Sequence, residues 1–361
     1  MSQTEFETFV NNQVGKGGVQ NITARVQSAD GEKDFSAAAG FVDSARQSAM
    51  TPATPYFTAS VSKTYTAAMV IYLHEAGKIN LDALIADYLP ADLLDGIHVY
   101  NGRDYSQQIK VYQLMSQTSG LPDYFEDKPR GGRSLYDELK AGMTDRAYST
   151  AELMDIVRGL RPKFAPGAKD GKRAHYVDTN YHLLGAIIEA VTGKSYADNL
   201  TEIICQPLGF KNTYAFDATL AGSRPKPAMI YVKDRPLDLP LFISSHAAEG
   251  GIVATTAETV IFLRAFFDGK LFDKAHFERM MRQWNGIFFP LQYAYGLMRF
   301  RIPRWLSPFQ PTPELIGHSG STGSFAFYMP SRGLYFAGTI NQAATPGKPF
   351  RLMLQMANKV R

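Results

Sequence analysis

The chain has 361 residues, 45% of them hydrophobic and 20% charged, which is ordinary globular composition with enough apolar content for a sizeable core. Its net charge of +4 is mild and the basic residues are scattered apart from small clusters such as Lys169–Lys172–Arg173. No zinc-finger or RNA-recognition signature accompanies them, so they read as solvated surface and no nucleic-acid partner is expected.

The first residues, Met1-Ser-Gln-Thr-Glu-Phe, do not combine a basic start with an apolar stretch, so they are no signal peptide. No run of about 18 apolar residues occurs, and no membrane span is predicted. A cytoplasmic protein is expected, or an exported one whose leader has been removed. Residues 18–27 and 34–42 alternate around Ala29-Asp30-Gly31 and predict a β-hairpin. From Ser60 to Ala76 the spacing of Ala67, Val70, Ile71 and Leu73 predicts a helix, with Gly77 as its stop.

The middle, about 80–245, reads as helical. Residues 150–158 carry a Ser149 or Thr150 cap with Glu152 nearby, and 180–191 follow Asp178 and Thr179 and close at Gly193. Cys205 is the only cysteine and reads as a buried, inert thiol. His74-Glu75 begins like a zinc-protease motif, but Lys78 stands where the second His belongs, so no metal site is indicated. Strand-like runs return at 294–301, 323–329 and 333–340, the last two joined at Pro330-Ser331-Arg332, and 350–358 predicts a final helix. Strands at both ends with helices between them imply an α/β domain from residues 1–75 and 250–361, interrupted by a mainly helical domain at 76–249.

Three short elements carry chemistry. Ser60-Val61-Ser62-Lys63 puts a hydroxyl and an amine on one helical face, at the end of the helix where a developing alkoxide is favoured. A lysine there serves as base only if its pKa falls. Ser223-Arg-Pro-Lys226 has the same spacing, but Pro225 makes it a loop. Tyr176-Val177-Asp178 precedes a helix, and a phenol relays protons if cations pull its pKa down; Tyr196-Ala-Asp198 matches equally by spacing. His318-Ser319-Gly320 followed by Ser321 offers a strand edge whose N–H groups form half of an oxyanion hole, with a glycine that lets substrate approach the backbone. Taken singly, each also reads as a helix cap, a half-buried aromatic or a Gly-rich turn.

Together they resemble the serine β-lactamase superfamily, in particular class C β-lactamases and their DD-peptidase and esterase relatives. Phe57-Thr-Ala-Ser60-Val-Ser-Lys63 resembles the nucleophile region. Leu114-Met-Ser-Gln-Thr-Ser-Gly-Leu-Pro-Asp-Tyr124, Asp178-Thr-Asn-Tyr-His-Leu-Leu-Gly185, Glu249-Gly-Gly-Ile-Val-Ala-Thr-Thr256 and Gly317-His-Ser-Gly320 follow in the family's order, over about residues 55–342. The resemblance implies a β-lactamase/transpeptidase-like fold: an antiparallel sheet flanked by helices, an inserted helical domain, and a site in the cleft between them. It implies Ser60 as nucleophile, Lys63 and Tyr176 as the proton-transfer pair, and the N–H groups of Ser60 and Ser321 as oxyanion hole. Asp178, His318, Ser319 and Gly320 are implied to bind substrate, and no cofactor is required.

Two departures bear on substrate. Asp178 stands where many relatives have Asn. His318 replaces the lysine that attracts a substrate carboxylate, and an imidazole of ordinary pKa, about 6.5, is mostly neutral above pH 7. Together with the apolar runs at 287–293 and 303–311, this favours simple esters or amides over D-Ala peptides and β-lactams. Two rivals differ in class. An α/β-hydrolase needs Gly-x-Ser-x-Gly, which Gly317-His-Ser-Gly-Ser321 fails at its fifth residue. An inactive binding relative would not be expected to keep Ser60, Lys63 and Tyr176 together.

Overall fold

The computed structural model describes residues 1–220, 222–306 and 312–360. An eight-stranded sheet dominates it: β1 (Asn21–Ser28), β2 (Asp34–Gly40), β3 (Asn285–Phe288), β4 (Leu291–Tyr293), β5 (Met298–Phe300), β6 (Leu315–Ser319), β7 (Ser324–Met329) and β8 (Leu334–Thr339). Their spatial order is β3-β4-β5-β6-β7-β8-β1-β2, and every neighbouring pair is antiparallel. The N-terminal hairpin β1–β2 joins the sheet along β8, where Thr23 of β1 lies opposite Thr339 of β8.

Five helices bear on the sheet and the site: α1 (Gln3–Asn11), α2 (Ser62–Glu75), α3 (Asp178–Thr192), α4 (Thr256–Phe267) and α5 (Lys348–Lys359). Consecutive residues of a strand point to opposite faces. Phe327 of β7 meets Phe350 of α5, whereas Tyr328 meets Phe267 of α4, so these helices cover the two faces of the sheet. α1 joins the α5 side, with Lys359 over the ring of Phe9.

α1 begins with a capping box, Ser2 Oγ accepting from the Glu5 N–H at 3.2 Å and Glu5 accepting in turn from the Ser2 N–H at 2.6 Å. The 150–158 helix starts the same way, through Ser149 and Glu152. α3 begins at Asp178 with Val177 as its N-cap, and ends at Gly193 with φ 68°. α2 buries every residue from Ser62 to Ile71, polar ones included, as a helix threaded through a core must.

The predicted strand over 294–301 is a turn followed by one short strand, β5. Residues 294–297 turn between β4 and β5, with Gly296 at φ +69° pressed so closely on α2 that a Cβ would lie 2.2 Å from Ala67 Cβ. No helix among the described residues is long and apolar enough to cross a membrane.

Candidate active site

The turn that presents Ser60 is not α-helical. Residues Ala59–Val61 form a 3₁₀ turn ahead of α2, and Ala59 holds φ 46°, a conformation that costs a non-glycine residue about 1–3 kcal/mol. The surroundings enforce it. Thr58 donates N–H and Oγ1 to the Ile252 carbonyl at 2.8 and 2.9 Å, and Ser324 Oγ donates to the Thr58 carbonyl at 2.6 Å. Ser62, the other serine of the motif, has its Oγ occupied by Thr58 Oγ1 at 2.9 Å and the Ile252 N–H at 3.1 Å, which leaves Ser60 as the free hydroxyl.

Lys63, fully buried, directs its ammonium at Ser60 Oγ at 3.1 Å, the Glu249 carbonyl at 2.8 Å and Asp178 Oδ1 at 2.6 Å. Burial alone would depress its pKa. The carboxylate of Asp178, and behind it the Tyr176 phenol and Glu249, outweigh that and hold Lys63 above its ordinary value. This is the opposite of the fall a free lysine base requires, so the amine is an ammonium at rest. Asp178 is thus the counter-ion of Lys63 as well as a lining residue of the cleft.

Tyr176 stands over Lys63, whose Nζ is 5.2 Å from its ring centroid. Burial pushes the phenol up to about 12, with Lys63 pulling only part of the way back, so the cation does not bring it near neutrality. Its hydroxyl is buried, with Ser60 and Lys63 as its polar neighbours. Tyr196, its rival by spacing, lies in the core and bonds Thr66 Oγ1 at 2.6 Å. Ser223 and Lys226 do not pair either: Ser223 Oγ donates to the Leu220 carbonyl, and Lys226 pairs with Asp43 at 3.1 Å.

The edge of β6 closes against the Ala59–Val61 turn that carries Ser60. A Cβ on Gly320 would fall 2.7 Å from Ala59 Cβ, 3.1 Å from the Thr58 carbonyl and 2.2 Å from Ser324 Oγ. The glycine serves this internal contact between two segments, where the sequence suggested a substrate approach. It sets Ser321 beside Ser60 on the wall of the same cleft. The Ser321 N–H makes no backbone bond among the described residues. The Ser60 N–H lies in the first turn of a helix, where donors lack intrahelical partners.

His318 departs most from expectation. It is fully buried, with Nε2 3.3 Å from the Tyr293 hydroxyl, Nδ1 2.8 Å from the Ser319 carbonyl, and its ring behind Tyr176. Burial, reinforced by Lys63, drives its pKa down to about 3, so it does not charge as pH falls through 6.5. Neither His318 nor Ser319 lines the cleft at Ser60. Ser319 Oγ instead points to Met298 Sδ at 3.5 Å.

That cleft is walled by Tyr124, Phe125, Tyr136, Leu139, Ile230 and Phe242, with Ser60, Asp178, Glu249 and Ser321 among its other lining residues. No Lys or Arg lines it among the described residues. The run 287–293 reaches the site through Phe288, whose ring centroid is 6.0 Å from that of Tyr176. Of the run 303–311, residues 307–311 lie outside the described residues, while Trp305 is exposed.

Sequence reasoning missed a second polar cluster beside Lys63. Glu249 Oε1 accepts from Tyr124 at 2.6 Å and lies 3.0 Å from Nδ1 of both His182 and His246. These four positions share no local motif that would have grouped them. His182, His246 and Glu249 are the one grouping among the described residues with ligand atoms close enough for a metal. Nδ1 of each histidine faces Glu249 Oε1, while Glu249 Oε2 and His246 Nε2 are buried with no hydrogen-bond partner among the described residues.

A Ser-x-x-Lys spanning a 3₁₀ turn and the start of a core helix, a tyrosine above it and a strand edge beside it define the serine β-lactamase-like class of fold and site. The chain belongs to the Beta-lactamase family, whose model matches residues 9–357. It is 26% identical over 215 residues to Protein flp of Staphylococcus aureus (strain MW2), covering 59% of this chain and 38% of that protein. It is 26% identical over 233 residues to Penicillin-binding protein 4 of Amycolatopsis lactamdurans, covering 61% of this chain and 52% of that one. The chain therefore spans about half or less of these relatives. The D-amino acid amidase of Ochrobactrum anthropi SV3, solved with L-phenylalanine amide, superposes with a TM-score of 0.78 at 23% identity over 99% of both chains.

Proposed function

We propose that this protein is a serine hydrolase that cleaves small carboxylic esters or amides through an acyl-enzyme on Ser60. The observation that carries the reading is the buried ammonium of Lys63, shared between Ser60 Oγ at 3.1 Å and Asp178 Oδ1 at 2.6 Å, two residues that line an apolar cleft. As Ser60 Oγ attacks the substrate carbonyl, its proton passes to Lys63 Nζ while one Lys63 proton passes to Asp178 Oδ1, so the amine is a base without ever resting as one. The Oγ–C bond forms, and the carbonyl oxygen becomes an anion facing the Ser60 and Ser321 N–H groups. Collapse breaks the bond to the leaving group, which takes a proton through the Tyr176 hydroxyl, resupplied from Lys63. Water then hydrolyses the acyl-enzyme by the same route.

The cleft supports an uncharged or aromatic acyl group over a carboxylate-bearing one. Its walls are aromatic and aliphatic, no Lys or Arg lines it among the described residues, and His318 is neutral behind Tyr176. That the amidase of similar fold was solved with phenylalanine amide fits a cleft of this lining. D-Ala peptides and β-lactams, which carry a carboxylate, are the second reading. Turnover of p-nitrophenyl esters, amino-acid amides, a D-Ala-D-Ala peptide and a cephalosporin ranks them. A fluorophosphonate adduct is expected on the peptide holding Ser60, absent in Ser60→Ala and retained in Ser62→Ala. An adduct that survives Ser60→Ala sinks the reading.

A further inference from the structure

Two ion pairs close a ring around Lys63. Asp178 and His182 lie four residues apart on α3 and so project from one face of it. Asp178 holds the Lys63 ammonium at 2.6 Å, and His182 Nδ1 meets Glu249 Oε1 at 3.0 Å. Glu249 returns to the start, because its own carbonyl accepts from Lys63 Nζ at 2.8 Å. Charges alternate around the circuit: Lys63, Asp178, His182, Glu249. Tyr124 and His246 add further contacts to Glu249 Oε1 from outside the ring.

We propose that Glu249 and His182 are positioning residues of the hydrolase. On this account they fix the Glu249 carbonyl on Lys63 and balance the charge that Lys63 feels. The inference rests on the Ser60 reading above and adds two residues to it.

The surroundings leave this pair as the adjustable element. Glu249 is 2% exposed and faces Tyr124, His182 and His246, with Tyr196 within electrostatic reach. His182 Nε2 lies 3.1 Å from Thr150 Oγ1, and its ring feels Glu189 and Asp178 as well. Around Lys63 stand Ser60, Asp178, Tyr176 and Tyr181, with Glu126 and His318 further out, and Asp123 faces Asp178 by accepting its N–H at 3.1 Å. Burial alone would depress His182, but Glu249 outweighs it and holds the imidazole above its ordinary value. Burial likewise pushes Glu249 up, and His182 with His246 overrides it, keeping the carboxyl well below the usual carboxylate range.

The two residues therefore act on Lys63 with opposite sign. His182→Gln leaves the Glu249 charge uncompensated, which stabilises the proton on the Lys63–Asp178 pair. The acid limb of kcat/KM should then move to higher pH. Glu249→Gln removes the nearer charge, and the limb should move to lower pH. The expected displacement is about half a pH unit or more in each case. The double variant should fall between the two.

The test is kcat/KM from pH 4.5 to 9 on one neutral ester, for the wild type, both single variants and the double variant, each shown to be folded by circular dichroism. His182→Asn is the second neutral replacement if His182→Gln does not fold. Opposite displacements with an intermediate double variant support the proposal. Displacements of the same sign, or slower turnover with an unmoved limb, overturn it. A wild type without Ser60-dependent turnover fails the hydrolase reading instead, before any variant is compared.

Discussion

Lys63 Nζ and Asp178 Oδ1 lie 2.6 Å apart, joining the core helix α2 to the first turn of α3. In the proposed mechanism the base that takes the Ser60 proton and the carboxylate that relieves it therefore come from two separate helices.

Asp178→Asn should separate the two roles. Without the carboxylate, Lys63 loses the largest influence that keeps it protonated, yet Ser60 has no second acceptor for its proton. Turnover near pH 7 should fall about a hundredfold and recover as pH rises and Lys63 becomes a free amine. A variant with the wild-type pH profile would show that Asp178 takes no proton.

Tyr176→Phe should lower kcat by about a hundredfold, the usual size for lost acid–base help. Tyr196→Phe should keep the rate and lose about 1 kcal/mol of stability with its bond to Thr66. Kinetics and thermal melts of both variants distinguish the tyrosines, and the reverse pattern would exchange their roles.

His318 bears on stability through its depressed pKa, about 3 in the folded chain against about 6.5 unfolded. Between those values the unfolded chain binds a proton that the folded chain refuses. This residue should therefore cost about 1.4 kcal/mol of stability per pH unit as pH falls below 6.5. The raised His182 runs the other way, since its contribution is full below its unfolded pKa and is lost as pH rises through its folded one. Melting temperatures from pH 7.5 to 4.5 should fall less steeply in His318→Gln than in the wild type. Parallel curves would mean that His318 is not held neutral.

Gly320→Ala should reduce turnover more than substrate affinity. The added methyl meets Ala59, Thr58 and Ser324 and drives the β6 edge away from the nucleophile turn, at a cost of about 1–3 kcal/mol. The readouts are kcat, KM and a melt. Unchanged kcat would show that the Ser321 N–H does not depend on this contact.

Much of this was legible in the sequence because the signals are local. The Ser149–Glu152 capping box and Gly193 marked helix ends, and the Ser60–Lys63 spacing placed both groups on one face. What escaped depends on contacts between distant segments. Tyr124, His182, His246 and Glu249 converge from separate places in the chain, and the Tyr293 hydroxyl that meets His318 comes from another strand. The ammonium state of Lys63 was likewise hidden, because it depends on how closely Asp178 approaches and not on spacing.

The pairing of β1 with β8 has a consequence for synthesis. Thr23 waits for Thr339 before β1 can join the rest of the sheet, so nearly the whole chain must leave the ribosome first. Until then β1 and β2 form a hairpin whose β1 edge has no partner strand, and the β6–β7 wall of the Ser60 cleft has not been made. Hydrolytic competence should therefore arrive late and all at once, and a nascent chain stalled before residue 315 should carry a serine that no acylating probe can label.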